Sequence, residues 1–257
     1  MIKKMLIQSC MLLLLIATAH SMNTDSRLRL SSDSKSAASE FLGNDVGPLT
    51  CLRVETYSQG AYHVFSSNDY YIKVNALTGE IEYAFFKRNI ALISNKTMDP
   101  QQATSNAIDF ARLHGIDVKQ ANLTLKNVTL EDFGFTRVYS LYWAREQNDV
   151  LLPDMLKITV NPTNGQIISY TRLMRETSIN LTPSFAKEDA MALAATSFGV
   201  TPVSEESHLL VWYTEQGNEV LAWYILMKGE PENKINTGGI VLINAHTGEI
   251  IQISPFR

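Results

Sequence analysis

The chain has 257 residues, of which 45% are hydrophobic and 19% are charged, as is usual for a globular protein that buries a core. A formal net charge of −4 and the lack of any Lys/Arg run argue against a nucleic-acid-binding protein, which normally carries a basic face. We therefore expect no nucleic acid among its partners.

The first 21 residues have the layout of a secretory signal. Lys3 and Lys4 precede an apolar stretch from Leu6 to Ala19, and the small residues at its end fit cleavage after Ala19 or Ser21. The stretch is shorter than the roughly 20 apolar residues that a membrane span needs. We expect residues 1–21 to be removed and the protein to be secreted or extracytoplasmic, with no stable membrane span; an uncleaved anchor is the alternative.

Residues 22–35 are polar and rich in serine, which predicts a flexible leader. The remaining chain keeps one cysteine, Cys51, so it can form no internal disulfide. The alternating run that follows, Leu52-Arg53-Val54, predicts that Cys51 is a small buried side chain. An intermolecular bridge or a reactive thiol is the alternative.

Residues 36–90 predict a shortened first unit. Ser36–Gly43 has the pattern of a helix end, and Ala61–Phe65 and Tyr70–Val74 have the apolar alternation of strands. The span between its helix end and its turn is shorter than in the last part of the chain. Such shrinkage is common in a terminal repeat.

Residues 98–176 and 182–257 predict two fuller units of the same kind. Asp99-Pro100 opens a helix in the second unit, while in the third Pro183 and Ser184 mark a helix start and Gly199 a helix stop. Strands follow in both, predicted over Val138–Trp143, Met155–Val160 and Ile167–Tyr170, and then over 209–213, 220–227, 239–243 and 250–253.

Each unit contains a nearly identical octapeptide. The three copies are VNALTGEI from Val74, VNPTNGQI from Val160 and INAHTGEI from Ile243, and self-similarity at a near-constant interval indicates a repeated structural unit. Glycine supplies a positive φ, and asparagine folds its side chain onto nearby backbone amides. We therefore predict structural turns built on Asn75, Gly79, Asn161, Gly165, Asn244 and Gly248.

A helix, a strand of the Leu221-Ala222-Trp223 type and a strand that ends in this turn together resemble the PepSY family. These are secreted domains found in the propeptides of thermolysin-like metalloproteases and as stand-alone exported proteins. The likeness is best over residues 182–254, weaker over 98–172, and limited to the second half of 36–86. Where the family usually has Asp in the turn, this chain has Asn each time, which makes a cation-binding role less expected.

The resemblance implies an α+β fold of tandem cystatin-like, PepSY-like units, each a helix packed on a curved antiparallel sheet. It also implies a protein partner, such as a secreted peptidase or another envelope protein that is bound and restrained, or a role in regulating cell-wall hydrolysis. A cell-surface structural or ligand-binding module with no peptidase partner is the alternative. Sheet edges and the grooves between units are the expected contact regions.

The residues that usually carry catalysis or metals form no recognised pattern. The five histidines include no HxH, HExxH or Cys/His pair, and GxSxG, GxGxxG and P-loop motifs are absent from the sequence. His63 alternates with Tyr62 and Val64 and is predicted to face solvent, and His246 is predicted to be an exposed turn residue. We expect no enzyme activity, no cofactor and no bound metal.

Aromatic residues cluster around the first turn. Because the first unit is shortened and could leave a sheet face open, Tyr70, Tyr71, Phe85 and Phe86 are predicted as a partner surface, with core packing as the alternative. Four N-x-S/T sequons offer glycosylation sites if the source organism modifies exported proteins: Asn95, Asn122, Asn127 and Asn180.

Overall fold

The computed structural model of the protein describes residues 31–43, 46–57, 60–90, 97–199, 202–229 and 237–256. In these ranges it has three α-helices, α1 (Ser31–Leu42), α2 (Pro100–Leu113) and α3 (Lys187–Phe198). The strands are β1 (Thr50–Tyr57), β2 (Gly60–Ser66), β3 (Tyr70–Asn75), β4 (Ile81–Phe86), β5 (Thr124–Asp132), β6 (Arg137–Gln147), β7 (Val150–Val160), β8 (Ile167–Leu173), β9 (Pro202–Tyr213), β10 (Glu219–Gly229), β11 (Gly238–Asn244) and β12 (Ile250–Pro255). The predicted α+β class is confirmed.

The described residues form two compact units. The first contains those up to Arg145 and from Asp154 to Met174, and the second contains Glu146–Pro153 and those from Arg175 onward. The first two octapeptides lie in the first unit and the third lies in the second. The division into three repeats, 36–90, 98–176 and 182–257, stays a prediction.

The predicted signal, residues 1–21, lies outside the described residues, as does the leader up to residue 30. Residues 31–35, which the sequence placed in the leader, belong to α1. Ser34 and Ala38 explain the difference, because they are four residues apart on one face of the helix and both are buried. The serine-rich composition of this segment concealed that face.

In the first unit the strand order is β1-β2-β3-β4-β8-β7-β6-β5. Strands β1 to β4 pair antiparallel in succession, and β8 pairs antiparallel with both β4 and β7. Among the described strands of this unit, β1 and β5 are the edges, and each carries a register shift, between Cys51 and Arg53 and between Leu125 and Asn127. Neither edge strand was predicted.

Helices α1 and α2 contact this sheet through small side chains. Ala38 of α1 and Ala103, Ala107 and Ala111 of α2 are fully buried, each 0% exposed. They share one apolar cluster with strand residues that include Phe65, Ile72, Val74, Ala84, Leu141, Trp143, Leu156, Ile158 and Tyr170. Larger residues at the alanine positions would overpack the contact between helix and sheet.

In the second unit, β9, β10, β11 and β12 are consecutive antiparallel neighbours. Val150 and Leu151 pair in parallel with Leu209 and Leu210 of β9. Ala190 and Ala194 of α3 are fully buried in a second apolar cluster, which contains Val211, Leu221, Trp223, Ile225, Met227, Val241, Ile243 and Ala245. Its helix thus contacts the strands through alanines, as α1 and α2 do in the first unit.

Local signals set most of the helix ends. The Asp99 side chain accepts a hydrogen bond from the Gln101 N–H at 2.6 Å, and Pro100 is the first residue of α2. Gly199, with φ of 64°, closes α3. Helix α3 begins at Lys187, later than Pro183 and Ser184 indicated, because the Ser184 N–H donates to the Ala245 carbonyl instead.

Two side chains lie in environments opposite to those predicted. Cys51 is exposed, since it lies on an edge strand at a register shift. His63 is only 5% exposed, and its Nδ1 lies 2.8 Å from the Ser34 Oγ of α1. The predicted exposure of His63 is wrong because both faces of β2 are buried from Tyr62 to Phe65, and α1 contacts the face that carries His63.

We expect the free energy of unfolding to fall as the pH drops below about 6.5. Burial lowers the pKa of His63, and burial also lowers that of His114, whose ring stacks on Phe41 with centroids 3.9 Å apart. Between the lowered folded pKa and the unfolded value, the unfolded chain binds more protons, so each histidine contributes a slope of up to about 1.4 kcal/mol per pH unit. The contribution of the two neutral histidines to stability is therefore complete above the pKa of histidine in the unfolded chain, and it is lost as the pH falls below that value.

Urea unfolding followed from about pH 8 to about pH 5 measures this slope, since most carboxylates titrate below that window. His63→Gln and His114→Gln should each reduce the slope, and the double variant should nearly abolish it. A wild-type slope in the double variant would contradict the assignment.

Candidate partner-binding surfaces

The three octapeptides form turns with the same hydrogen bonds. In each, the Asn carbonyl accepts from the Gly N–H, at 2.8 Å for Asn75 with Gly79 and 2.9 Å for Asn161 with Gly165 and for Asn244 with Gly248. The three glycines have φ of 78°, 76° and 76°, a backbone conformation that disfavours side chains. Each Asn Oδ1 also accepts from the backbone two residues on, at 2.9 Å.

The second and third turns hold the segments that lead into helices. Met98, two residues before α2, donates its N–H to the Pro162 carbonyl at 2.7 Å. Phe185, two residues before α3, donates to the Ala245 carbonyl at 2.8 Å, and its own carbonyl accepts from Trp223 Nε1 at 2.9 Å. The second and third turns therefore anchor the segments that precede α2 and α3 through backbone hydrogen bonds, and we call each of these contacts a clasp.

The four aromatic residues predicted as a partner surface do not share a face. Tyr70 and Phe86 are cross-strand partners with ring centroids 5.9 Å apart, and Phe86 packs against the core beneath the helices. Tyr71 and Phe85 pair on the opposite side of the sheet. Adjacent residues of a strand point to opposite faces, so neither dipeptide could present both of its rings to one partner.

The face opposite the helices carries a charged network that links β1 to β3. Lys73 Nζ lies 2.6 Å from Glu55 Oε2 and 3.0 Å from the Tyr57 hydroxyl, and it also lies 5.0 Å from the centroid of the Tyr57 ring. Tyr57 donates to the same Glu55 oxygen at 2.5 Å. Arg53 donates from Nε to the other oxygen at 2.8 Å.

The network keeps its charges at neutral pH. Burial opposes ionisation of Glu55, but hydrogen bonds from Lys73 and Tyr57 prevail and hold its pKa below the ordinary value. Burial likewise opposes the charge on Lys73, yet the hydrogen bond to Glu55 raises its pKa. Burial and the bond to Glu55 raise the pKa of Tyr57, which stays protonated. These groups satisfy one another, so the network fastens edge strand β1 in place.

The turn between β5 and β6 carries two exposed aromatic rings. Phe133 is 54% exposed and Phe135 is 68% exposed, and Gly134 lies between them with φ of 81°. Leu130, near the end of β5, is also exposed. We call the segment Leu130–Phe135 the aromatic tip. Large apolar side chains grouped at one exposed turn are unusual on a protein surface and often mark a binding site.

The base of the aromatic tip is held by Asp132. Its Oδ1 accepts from the Gly134 N–H at 2.8 Å, and its Oδ2 accepts from Arg137 Nε at 2.8 Å. The bond from Gly134, with that from Arg137, keeps the pKa of Asp132 below its ordinary range. Phe133 donates its N–H to the Thr136 carbonyl at 2.9 Å. The two rings therefore stand on a turn that is ordered before any partner arrives.

The aromatic tip was not predicted, although the sequence contained a signal for it. Hairpin turns favour Gly, Asn and Asp, with polar neighbours, whereas Phe133-Gly134-Phe135 places two phenyl groups around a turn glycine.

The predicted sequons Asn122 and Asn180 are exposed, and Asn127 donates from Nδ2 to Thr129 Oγ1 at 2.7 Å; Asn95 lies outside the described residues.

Within the part of the chain that the structure describes, no group of three or more His, Cys, Asp or Glu side chains could hold a metal ion. None of the helices in the described part of the chain combines the length and the apolar character of a membrane span.

No family model matches the chain. No curated protein matches it either. Among solved structures, the chain is similar to the C-terminal domain of YpeB from Bacillus megaterium, with a TM-score of 0.46 and 16% sequence identity over 90% of this chain and 100% of that one.

Proposed function

We propose that this protein is an exported, non-catalytic binding protein that docks on another protein through the aromatic tip. The observation that carries the proposal is the pair of exposed rings, Phe133 and Phe135, on an ordered turn. Aromatic side chains that insert into pockets supply most of the binding energy in many protein interfaces. A turn that is already ordered loses little conformational entropy on binding.

A protein pocket fits the tip better than a lipid surface does. The charged residues at its base, Asp132 and Arg137, bond to each other and offer no free cation to anionic lipids. The formal net charge of −4 also opposes attraction to an anionic membrane. Membrane-anchoring turns favour Trp and Tyr with flanking Lys and Arg, whereas this tip presents phenyl rings.

The partner class that we propose is a peptidase of the same compartment, which the protein restrains. This part rests on the resemblance of the octapeptides and of the Leu221-Ala222-Trp223 strand to PepSY domains. Docking of the aromatic tip near a substrate cleft would slow the peptidase by steric exclusion, without any chemistry by this chain. A structural module without a peptidase partner remains the competing function.

We expect Phe133→Ser combined with Phe135→Ser to weaken partner binding by roughly a hundredfold, because two desolvated aromatic anchors are lost. The measurement is affinity for co-secreted metallopeptidases by titration calorimetry, together with their rates of substrate cleavage. Leu113→Ser is the matched control, since Leu113 at the end of α2 is 78% exposed and lies on another element.

Both variants should unfold within about 0.5 kcal/mol of the wild type, since the changed side chains are exposed. Equal binding by wild type and the double Phe variant would exclude the tip. Failure to bind or slow any co-secreted peptidase at micromolar concentration would exclude the function. If the double Phe variant lost binding to phosphatidylcholine vesicles but still bound the peptidase, the tip would instead be a lipid anchor.

A further inference from the structure

Edge strand β1 exposes an unusual run of side chains. Residues 50–54 are all exposed, and Leu52 and Val54 are 50% and 49% exposed. Among the described residues β1 pairs only with β2, so its other edge presents backbone groups without a neighbouring strand. Such an edge is a template for pairing with another chain unless charge or proline blocks it. Strand β1 contains no proline and no lysine, and beyond its register shift between Cys51 and Arg53 the residues 53–57 pair regularly with β2.

The sequence of β1 is complementary to itself in one antiparallel register. If two copies pair with Val54 opposite Val54, then Arg53 of each copy lies opposite Glu55 of the other. A shift of two residues in either direction would place Arg53 opposite Arg53 or Glu55 opposite Glu55. Directly opposed like charges destabilise a sheet pair, whereas opposite charges stabilise it.

The faces of the strand agree with this register. Arg53 and Glu55 lie on the face that carries the Lys73 network, and Val54 lies on the helix-covered face, opposite His63 of β2. A two-fold axis perpendicular to the sheet keeps each face on its own side, so the charged pairs and the valine pair form separate rows. The Lys73–Glu55–Tyr57 contacts hold β1 ready for a partner strand.

We propose that two copies of this chain associate through antiparallel pairing of their β1 strands about Val54. The dimer is independent of the aromatic tip and of the proposed peptidase partner. A single added strand pair gives a small interface, so the dimer forms reversibly as concentration rises. Cys51 lies beyond the register shift and takes no part in the pairing about Val54, so the dimer persists under reducing conditions.

Charge reversal on opposite members of the pair tests the register. Arg53→Glu alone and Glu55→Arg alone each place like charges opposite each other, and each should weaken dimerisation at least tenfold in sedimentation velocity with reductant. An equimolar mixture of the two variants restores both opposite-charge pairs, so a heterodimer should form. Monomers in the mixture, with both variants folded by circular dichroism, would overturn the proposal.

Cysteine cross-linking provides a test that does not disturb the Glu55 network. In a chain with Cys10→Ser and Cys51→Ser, Val54→Cys places two thiols directly opposite across the axis, within disulfide reach. Thr56→Cys is the control, because its two copies would lie about 13 Å apart along the strands. Mild oxidation should give a dimer with Val54→Cys and none with Thr56→Cys. Equal cross-linking of both, or of neither, would overturn the proposal.

Discussion

Asn75→Asp is expected to lower the free energy of unfolding by about 3–5 kcal/mol at neutral pH. The Asn75 Nδ2 donates to Glu82 Oε1 at 2.8 Å, and both residues are buried. An aspartate would still accept the turn amides through one oxygen, but its other oxygen would face the Glu82 carboxylate. Two carboxylates in one buried site cannot both ionise at low cost, so one pKa rises strongly.

The pH dependence of this loss identifies its cause. A folded pKa raised above the unfolded value costs stability at neutral pH, and the cost disappears as the pH falls below the unfolded carboxylate pKa. Urea unfolding at about pH 7 and about pH 4 should therefore show a deficit that shrinks toward acid. A deficit of equal size at both values would mean that lost packing, and not charge, is responsible.

The other two turns supply matched comparisons. Asn161 is 1% exposed and its Nδ2 donates to the Asn89 carbonyl at 2.8 Å, so Asn161→Asp should cost about 2–4 kcal/mol. Asn244 is partly exposed, and no group in the described ranges accepts from its Nδ2. Asn244→Asp should therefore change stability by less than about 1 kcal/mol. Equal effects at the three positions would refute this account.

Gly248→Ala is expected to destabilise the protein by about 2–4 kcal/mol. The φ of 76° alone costs about 1–2 kcal/mol for a residue with a side chain, and the new Cβ would lie 2.7 Å from Cε2 of the Phe185 ring. The ring cannot easily move away, because the backbone of Phe185 is held by two hydrogen bonds. Its N–H donates to the Ala245 carbonyl, and its carbonyl accepts from Trp223 Nε1.

Gly199→Ala separates the cost of a positive φ from the cost of the steric clash with a neighbouring ring. Gly199, at the end of α3, has φ of 64°, but a Cβ there would meet nothing within 4 Å. It should cost about 1 kcal/mol, the conformational part alone. The quantity to compare is the free energy of unfolding from urea titration. Similar losses for the two variants would mean that Phe185 moves aside without penalty.

The turns show how far residue chemistry alone could predict this fold. In each octapeptide the Asn, the Gly and the residue before the Gly (Thr78, Asn164 or Thr247) hydrogen-bond to backbone groups within the same few residues, so their role follows from local sequence. The amide partners, Glu82 for Asn75 and the Asn89 carbonyl for Asn161, differ between copies. Only packing brings those groups together, so the preference for Asn over Asp had no visible explanation in the sequence.

The candidate surfaces divide in the same way. Tyr70-Tyr71 and Phe85-Phe86 are adjacent pairs in strands, and the two-residue period already required each pair to split between faces. The aromatic tip also had a local signal in Phe133-Gly134-Phe135. No local sequence signal indicated that β1 lies at an edge, because strand order depends on pairing between distant residues.

The clasp between Phe185 and the third turn means that the start of α3 can be fixed only after the third turn has been synthesised. Phe185 binds Ala245, sixty residues later, and Gly248 packs against its ring. The start of α3 can therefore be anchored only after Ala245 and Gly248 have been synthesised and have left the ribosome. A nascent chain that ends before the third turn would leave the segment before α3 exposed to proteases and chaperones, while the first unit could already fold.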